Sequence, residues 1–162
     1  MKRTNWTKRL LLLSFLSLTL AFSACKKDDP PTNTDHLTGS LWKMTAITID
    51  PAFPIFDVNG NITGYTNDLF SQLSPCAKDD TYKYNSDFTM KTDEGASKCD
   101  SGDPQSTAGI WSFNTDETVL STTSDGFTQV STIMELTSEV LKLKYSQPVG
   151  PTTYTFNITF SH

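Results

Sequence analysis

The sequence predicts an all-β domain: an antiparallel, up-and-down barrel of about eight strands with one short helical turn in its first long loop. Three observations carry this. Residues 80–160 run as short segments rich in aromatic, β-branched and threonine residues, split by Gly, Asn, Asp, Ser and Pro clusters roughly every 8–14 residues. Several segments alternate with period two. The clearest is the last, where Tyr154, Phe156, Ile158 and Phe160 oppose Thr153, Thr155, Asn157 and Thr159. Leucine is scarce beyond the first 24 residues, which argues against a helical bundle.

The expected strands are 41–49, 82–85, 88–93, 109–114, 119–122, 128–136, 141–145 and 154–160. In the first, Trp42, Met44 and Ala46 share one face and Leu41, Ile47 and Ile49 the other. Both faces are largely apolar, as in a strand that packs inward while something covers its outside. Pro51 and Pro54 should end it.

Residues 50–75 break the rhythm and admit two readings. Asn59-Gly60 flanked by apolar residues signals a hairpin or lid loop. Alternatively, Asp57, Asn59, Asn61, Thr63, Tyr65 and Asp68 fall at positions 1, 3, 5, 7, 9 and 12 of a calcium loop, with a helical turn over 68–73. This stretch resembles the calcium loops of dockerin modules. It departs from them at Ile62, where the sharp turn needs glycine, and at Asn61, which replaces a carboxylate.

Further on, Tyr82 and Tyr84 oppose Thr81 and Lys83, and a two-residue turn at Ser86-Asp87 would set Asn85 opposite Phe88. Phe88, Met90 and Thr92 then alternate with Thr89, Lys91 and Asp93. The acidic stretch 93–103 reads as a solvated turn, with cation binding as the sharper alternative. Gly109, Trp111 and Phe113 share a face, and the glycine lets a neighbouring strand or ring come close.

The N-terminus reads as an address. A basic segment to Arg9 precedes an apolar run over 10–22, too short to span a bilayer comfortably and right for a signal peptide. It ends in Phe22-Ser23-Ala24-Cys25, which resembles the lipobox of bacterial lipoproteins, with Phe22 where Leu is usual. The resemblance implies that residues 1–24 are a signal peptide and that Cys25 is lipidated and anchors the chain to a membrane. An ordinary secretory signal with a cysteine nearby is the alternative. Residues 25–36, from Lys26-Lys27-Asp28-Asp29 into Pro30-Pro31-Thr32-Asn33-Thr34, read as a disordered tether before a barrel domain at 37–162. The Lys-Asp-Asp segment resembles the surface-export signal of lipoproteins from one large Gram-negative phylum. That implies display on the outer membrane surface, with a periplasm-facing anchor as the alternative.

Without residues 1–24 the chain keeps nine basic residues against eighteen acidic, a net of 9 − 18 = −9. Such a chain has no electrostatic reason to bind nucleic acid. With Cys25 lipidated, Cys76 and Cys99 remain as an even pair in an oxidising compartment. The hairpin register brings them within a few residues of each other, so a structural disulfide is expected, reactive thiols being the other reading.

Taken together, 37–42 (Leu-Thr-Gly-Ser-Leu-Trp), Cys76 with Asp79-Asp80 and Tyr82, Cys99, Gly109-Ile110-Trp111 and Leu136…Leu141-Lys142-Leu143 resemble the bacterial lipocalin-like lipoprotein family over residues 37–160. Gly39-x-x-Trp42 echoes the Gly-x-Trp that opens animal lipocalins, with one extra residue. There is no arginine after residue 9 to close over the tryptophan. The resemblance implies a barrel that takes a small apolar or amphipathic ligand in its mouth. The residues expected to line it are Trp42, Tyr82, Tyr84, Phe88, Met90, Trp111, Phe113, Tyr154 and Phe156, with 55–73 as a lid. The alternative is a structural or interaction module with a fully packed barrel, touching glycans or proteins through its loops.

Nothing in the sequence asks for an enzyme or a cofactor beyond the calcium reading. The two histidines, His36 and His162, flank the domain, and Asp79-Asp80, as neighbours on a strand, would point to opposite faces.

Overall fold

The computed structural model describes residues 30–162. The expected signal peptide, Cys25 and the first residues of the tether lie outside them.

Each of the eight expected segments is a strand, and a ninth joins them. β1 is Leu41–Phe56, β2 Ile62–Asp68, β3 Thr81–Tyr84, β4 Thr89–Asp93 and β5 Ser106–Phe113. β6 is Val119–Ser124, β7 Phe127–Leu136, β8 Val140–Val149 and β9 Thr152–Ser161. From β3 to β9 each strand pairs antiparallel with the next, and β1 pairs with both β3 and β9. This closes an eight-stranded barrel, with β2 as an extra strand on the far half of β1.

The helical pieces are small. α1, Asn33–Gly39, starts at a capping box in which Thr32 Oγ1 accepts from the Asp35 amide and the Asp35 carboxylate accepts from the Thr32 amide. A 3-10 turn at Phe70–Gln72 and a four-residue helix α2, Pro75–Lys78, fill the link from β2 to β3, where a helical turn is expected. The tether reading is corrected at its end, because residues 33–36 belong to α1. The cap, and Leu37 with none of its surface exposed, supply the anchorage that a Pro/Thr/Asn-rich composition does not advertise.

Three local expectations are revised. The two apolar faces of β1 come from a bulge between Met44 and Ala46, which resets the alternation. Met44 pairs with Phe160 and Ile47 with Ile158, so Trp42, Met44, Ile47 and Ile49 all share the inner face. Nothing has to cover the outside.

Pro51 and Pro54 do not end β1. The Asp50–Pro51 peptide is cis and sits in the irregular stretch between the Thr48–Asp68 and Phe53–Thr66 pairs. Pairing with β9 ends at Asp50, so neither proline is asked for an amide on that side.

The β3–β4 turn holds three residues, not two. Asn85 and Thr89 are bonded partners, and Phe88 takes a left-handed φ of 66°. The register therefore differs by one from the expected pairing, with Tyr84 opposite Met90.

Inside the barrel the largest residues gather at one end. Trp42, Tyr84, Trp111, Leu120, Leu141 and Phe160 are buried together with Leu37 from α1, which closes this end. The Trp42 indole N–H donates to the Leu37 carbonyl at 2.8 Å, and Lys83 Nζ donates to the carbonyls of Thr38 and Ser40 at 2.7 and 3.3 Å. The helix is thus held by its last turn, where its carbonyls lack partners of their own.

Candidate ligand-binding site

At the other end the inward positions are smaller and more polar. β5 turns Gly109 inward where Trp111 stands one step deeper. A Cβ on Gly109 would lie 2.5 Å from the Thr123 carbonyl oxygen and 3.0 Å from Met90 Cγ. The glycine allows the close approach that the sequence suggests.

Inside, a cavity of about 170 Å³ is bounded by Met44, Tyr82, Tyr84, Met90, Leu120, Leu143, Ile158 and Phe160, with Thr122, Gln129 and Ser131 as its polar wall. Above it lies an open mouth of about 580 Å³. Tyr82, Met90, Thr122 and Gln129 border both spaces, and Thr92, Ser124, Phe127, Thr128, Tyr145, Ser146 and Gln147 complete the mouth.

Of the expected lining residues, Tyr82, Tyr84 and Met90 are at this site. Trp42, Trp111 and Phe113 belong to the packed closed end, where Trp111 meets Tyr84 edge-on at 6.1 Å and Phe113 at 5.2 Å. Phe88 is more than half exposed on its turn and leans on Trp111 at 5.2 Å. Tyr154 contacts Phe53, and Phe156 stacks flat on the mouth residue Tyr145 at 4.7 Å without itself bordering the mouth. Residues 55–73 do not line the mouth, so they are not its lid: β2 lies along β1. Reasoning that favours large aromatics misses Thr122, Ser124, Gln129 and Ser131, because a cavity is marked by what fails to fill it.

Two tyrosines report the local electrostatics. Burial raises the Tyr82 hydroxyl to about 12, helped by the negative charges of Asp80 and Glu94. Tyr84 is pushed up further, again chiefly by burial.

The calcium reading does not survive the geometry. Asp57 caps the tip of the β1–β2 hairpin, accepting from the amides of Asn59 and Asn61 at 2.9 and 2.8 Å and from the Asn61 side chain. Thr63, Tyr65 and Asp68 follow along β2, so the positions run down a strand rather than round an ion. Asp68 instead accepts from the Ser71 amide, starting the 3-10 turn.

The acidic stretch is likewise internally engaged. Asp93 takes Lys91 at 2.8 Å, and Asp79 Oδ2 accepts from the amides of Ala96 and Ser97. Among the described residues no group of three or more His, Cys, Asp or Glu is placed to hold a metal ion. Next to this loop, Cys76 and Cys99 are joined as a disulfide with their Cα atoms 5.2 Å apart.

A family model for the lipocalin-like domain matches residues 37–143. The chain belongs to the lipocalin-like domain family. The match spans α1 from Leu37 to the middle of β8, and β9 lies beyond it although it closes the barrel. No curated protein matches. One solved structure, a DUF4847 family protein from Bacteroides vulgatus, is similar at 12% identity, covering 78% of this chain and 94% of that one, with a TM-score of 0.41. So loose a likeness says nothing about the site.

In this lipocalin-like barrel the place over the opening tryptophan is taken by a histidine. The His162 ring meets Trp42 edge-on at 5.9 Å, and its Nε2 lies 2.6 Å from the Ser138 carbonyl oxygen. The end of β9 is thereby tied to the β7–β8 turn. Both histidines, His36 on α1 and His162, sit at the closed end, away from the cavity.

Proposed function

We propose that this lipocalin-like protein binds a small apolar or amphipathic molecule in the mouth of its barrel and works as a binding protein, not an enzyme. The observation that carries the reading is the cavity of about 170 Å³ opening into the mouth, apolar on most of its wall with a few polar groups among them. A barrel of eight strands has room for its own side chains or for one small ligand. The small residues at the open end of this one favour the ligand. The absence of histidine from the lining and the engagement of Cys76 and Cys99 with each other favour binding over catalysis.

The same reading places the protein on the outer membrane of a Gram-negative bacterium, anchored by lipid on Cys25 and facing outward. Its support is the sequence alone: the lipobox-like Phe22–Cys25 and the Lys-Asp-Asp that follows.

Native mass spectrometry of the purified protein tests the binding. An adduct in the mass range of a small amphiphile, released by organic extraction, supports it. A bare mass that no apolar or amphipathic compound shifts overturns it and leaves the interaction module. That second reading has one observation in its favour: the β1–β2 hairpin exposes more than half of Phe56, Val58, Ile62 and Tyr65. For the anchor, labelled palmitate should enter the wild type and not Cys25→Ser. Equal labelling of both refutes it.

A further inference from the structure

Resting on the binding reading, the site can be taken one step further, to the chemistry of what it accepts. No Asp, Glu, Lys, Arg or His lines either the inner cavity or the mouth; every polar side-chain group on the described walls is a neutral hydroxyl or amide. Two of these groups belong to residues with little exposed surface. Ser131 is 4% exposed and Tyr84 3% exposed, both border the inner cavity, and neither side chain hydrogen-bonds to another described residue. Neither hydroxyl oxygen is sealed off, since the buried side-chain oxygens without partners among the described residues are Asp79 Oδ1 and Asp80 Oδ1. Both hydroxyls are therefore open to the cavity, where a ligand oxygen or amide can take the place of water as their partner.

Charge is disfavoured from two sides. A ligand ion inside would lose its water and meet no counter-ion. Asp80 and Glu94 lie close enough to Tyr82 to set a negative potential at the wall, which repels carboxylates in particular.

Size follows from volume. A methylene takes up about the room of a water molecule, about 30 Å³ in the liquid, so 170 Å³ holds about six carbons. Above them, Thr92, Thr122, Ser124, Gln129 and Gln147 present hydroxyls and amides to a head group, and Phe127, 82% exposed, offers an apolar face at the lip.

We propose that the barrel selects an uncharged amphiphile, its apolar part about six carbons long in the inner cavity and its hydroxyl- or amide-bearing head in the mouth. Three probes of equal chain length separate charge from apolarity: n-hexyl β-D-glucoside, hexanoate and hexylammonium, titrated calorimetrically into the purified protein at about pH 7. The glucoside should bind at least tenfold more tightly than either ion. Ser131→Ala should weaken it three- to tenfold, and Ser131→Leu, which fills part of the inner cavity, should abolish it. The exposed Val130→Ala should leave it unchanged.

Hexanoate or hexylammonium binding as tightly as the glucoside overturns the selectivity and leaves the binding reading standing. If none of the probes binds at millimolar concentration, this proposal falls; if the native protein also carries no adduct, the binding reading falls with it. Glucoside binding unaffected by Ser131→Leu places the ligand elsewhere and overturns the site.

Discussion

Trp42→Phe is the sharpest test of how the closed end is built. Trp42 and Leu37 are both fully buried, and the indole N–H is the donor to the Leu37 carbonyl at 2.8 Å. Phenylalanine keeps an aromatic ring in place and removes the donor. The carbonyl then stays buried without this partner, a loss of about 1–3 kcal/mol. The smaller ring also leaves about 40 Å³ unfilled, which at about 24 cal/mol per Å³ adds about 1 kcal/mol. The expected total is a loss of about 2–4 kcal/mol. Urea unfolding at about 25 °C, followed by far-ultraviolet circular dichroism, reads it directly. With a slope of about 1–3 kcal/mol/M, the midpoint should fall by about 1–2 M with the slope unchanged. Leu37→Ala, which keeps the carbonyl but removes the buried side chain, should cost about 2–5 kcal/mol alone, and the double variant less than the sum, because either change loosens the same docked helix. A loss under about 0.5 kcal/mol for Trp42→Phe, or strict additivity with Leu37→Ala, would refute a helix docked through the indole.

Further expectations concern the loop beside the disulfide. Cys76 and Cys99 are 23 residues apart in sequence, and cross-linking a loop of that size contributes about 3 kcal/mol in the chain-entropy model. Replacing both by alanine should lower the urea midpoint accordingly, and a change under about 1 kcal/mol contradicts that account. Gly95 has φ +67°, and a Cβ there would collide with the Asp79 carbonyl, so Gly95→Ala should cost about 1–3 kcal/mol by the same assay. Burial, with Glu94, Asp79 and Asp93 adding repulsion, raises the Asp80 carboxyl above its ordinary 3.8. The folded state then holds that proton more tightly than the unfolded chain. Asp80's contribution is full below pH 3.8 and is lost as pH rises through the raised value. Asp80→Asn should therefore be more stable than wild type at about pH 7, the gain shrinking towards about pH 4. If Asp80→Asn instead lowers stability at neutral pH, the carboxylate is a needed acceptor and the repulsion account fails.

Much of the fold was legible because period-two alternation survives wherever a strand has one wet face. Residues 154–160 in β9, and Tyr82 and Tyr84 against Thr81 and Lys83 in β3, are of this kind. Legibility failed where a single residue breaks the count. The bulge after Met44 makes one inner face look like two, and the left-handed Phe88 takes the place usually given to glycine, so composition hid the three-residue turn. Pro51 and Pro54 misled for a related reason. A strand's tolerance of proline depends on which side still has a partner, and that is a property of the neighbouring strand's length. The calcium spacing was an accident of alternation: a polar residue at every second position is also what a half-exposed hairpin needs.

The cavity itself was written in the sequence, in an order that reading strand by strand obscures. Antiparallel strands traverse the barrel in alternating directions, so a gradient along its axis appears in the chain as mirror images. Going from mouth to closed end, the inward residues of β5 are Gly109, Trp111 and Phe113, and those of β6, read backward, are Ser124, Thr122 and Leu120. β7 runs Gln129, Ser131, Ile133, and β8 in reverse runs Gln147, Tyr145, Leu143, Leu141. Small or polar residues give way to bulky apolar ones on all four. One such run fits chance or a local need for close packing. Four on neighbouring strands, staggered by the register so that Thr122 pairs with Trp111 and Ser131 with Leu120 but running in the same direction along the axis, mean that one end of the interior is less filled than the other. A barrel needing only stability has no reason to underfill one end, since each unfilled methyl costs about 1 kcal/mol. The same gradient puts Ser131 and Thr122 on the wall of the space, where a packed interior would call for larger apolar residues. A site left open and polar at that cost is the main support for the proposed ligand.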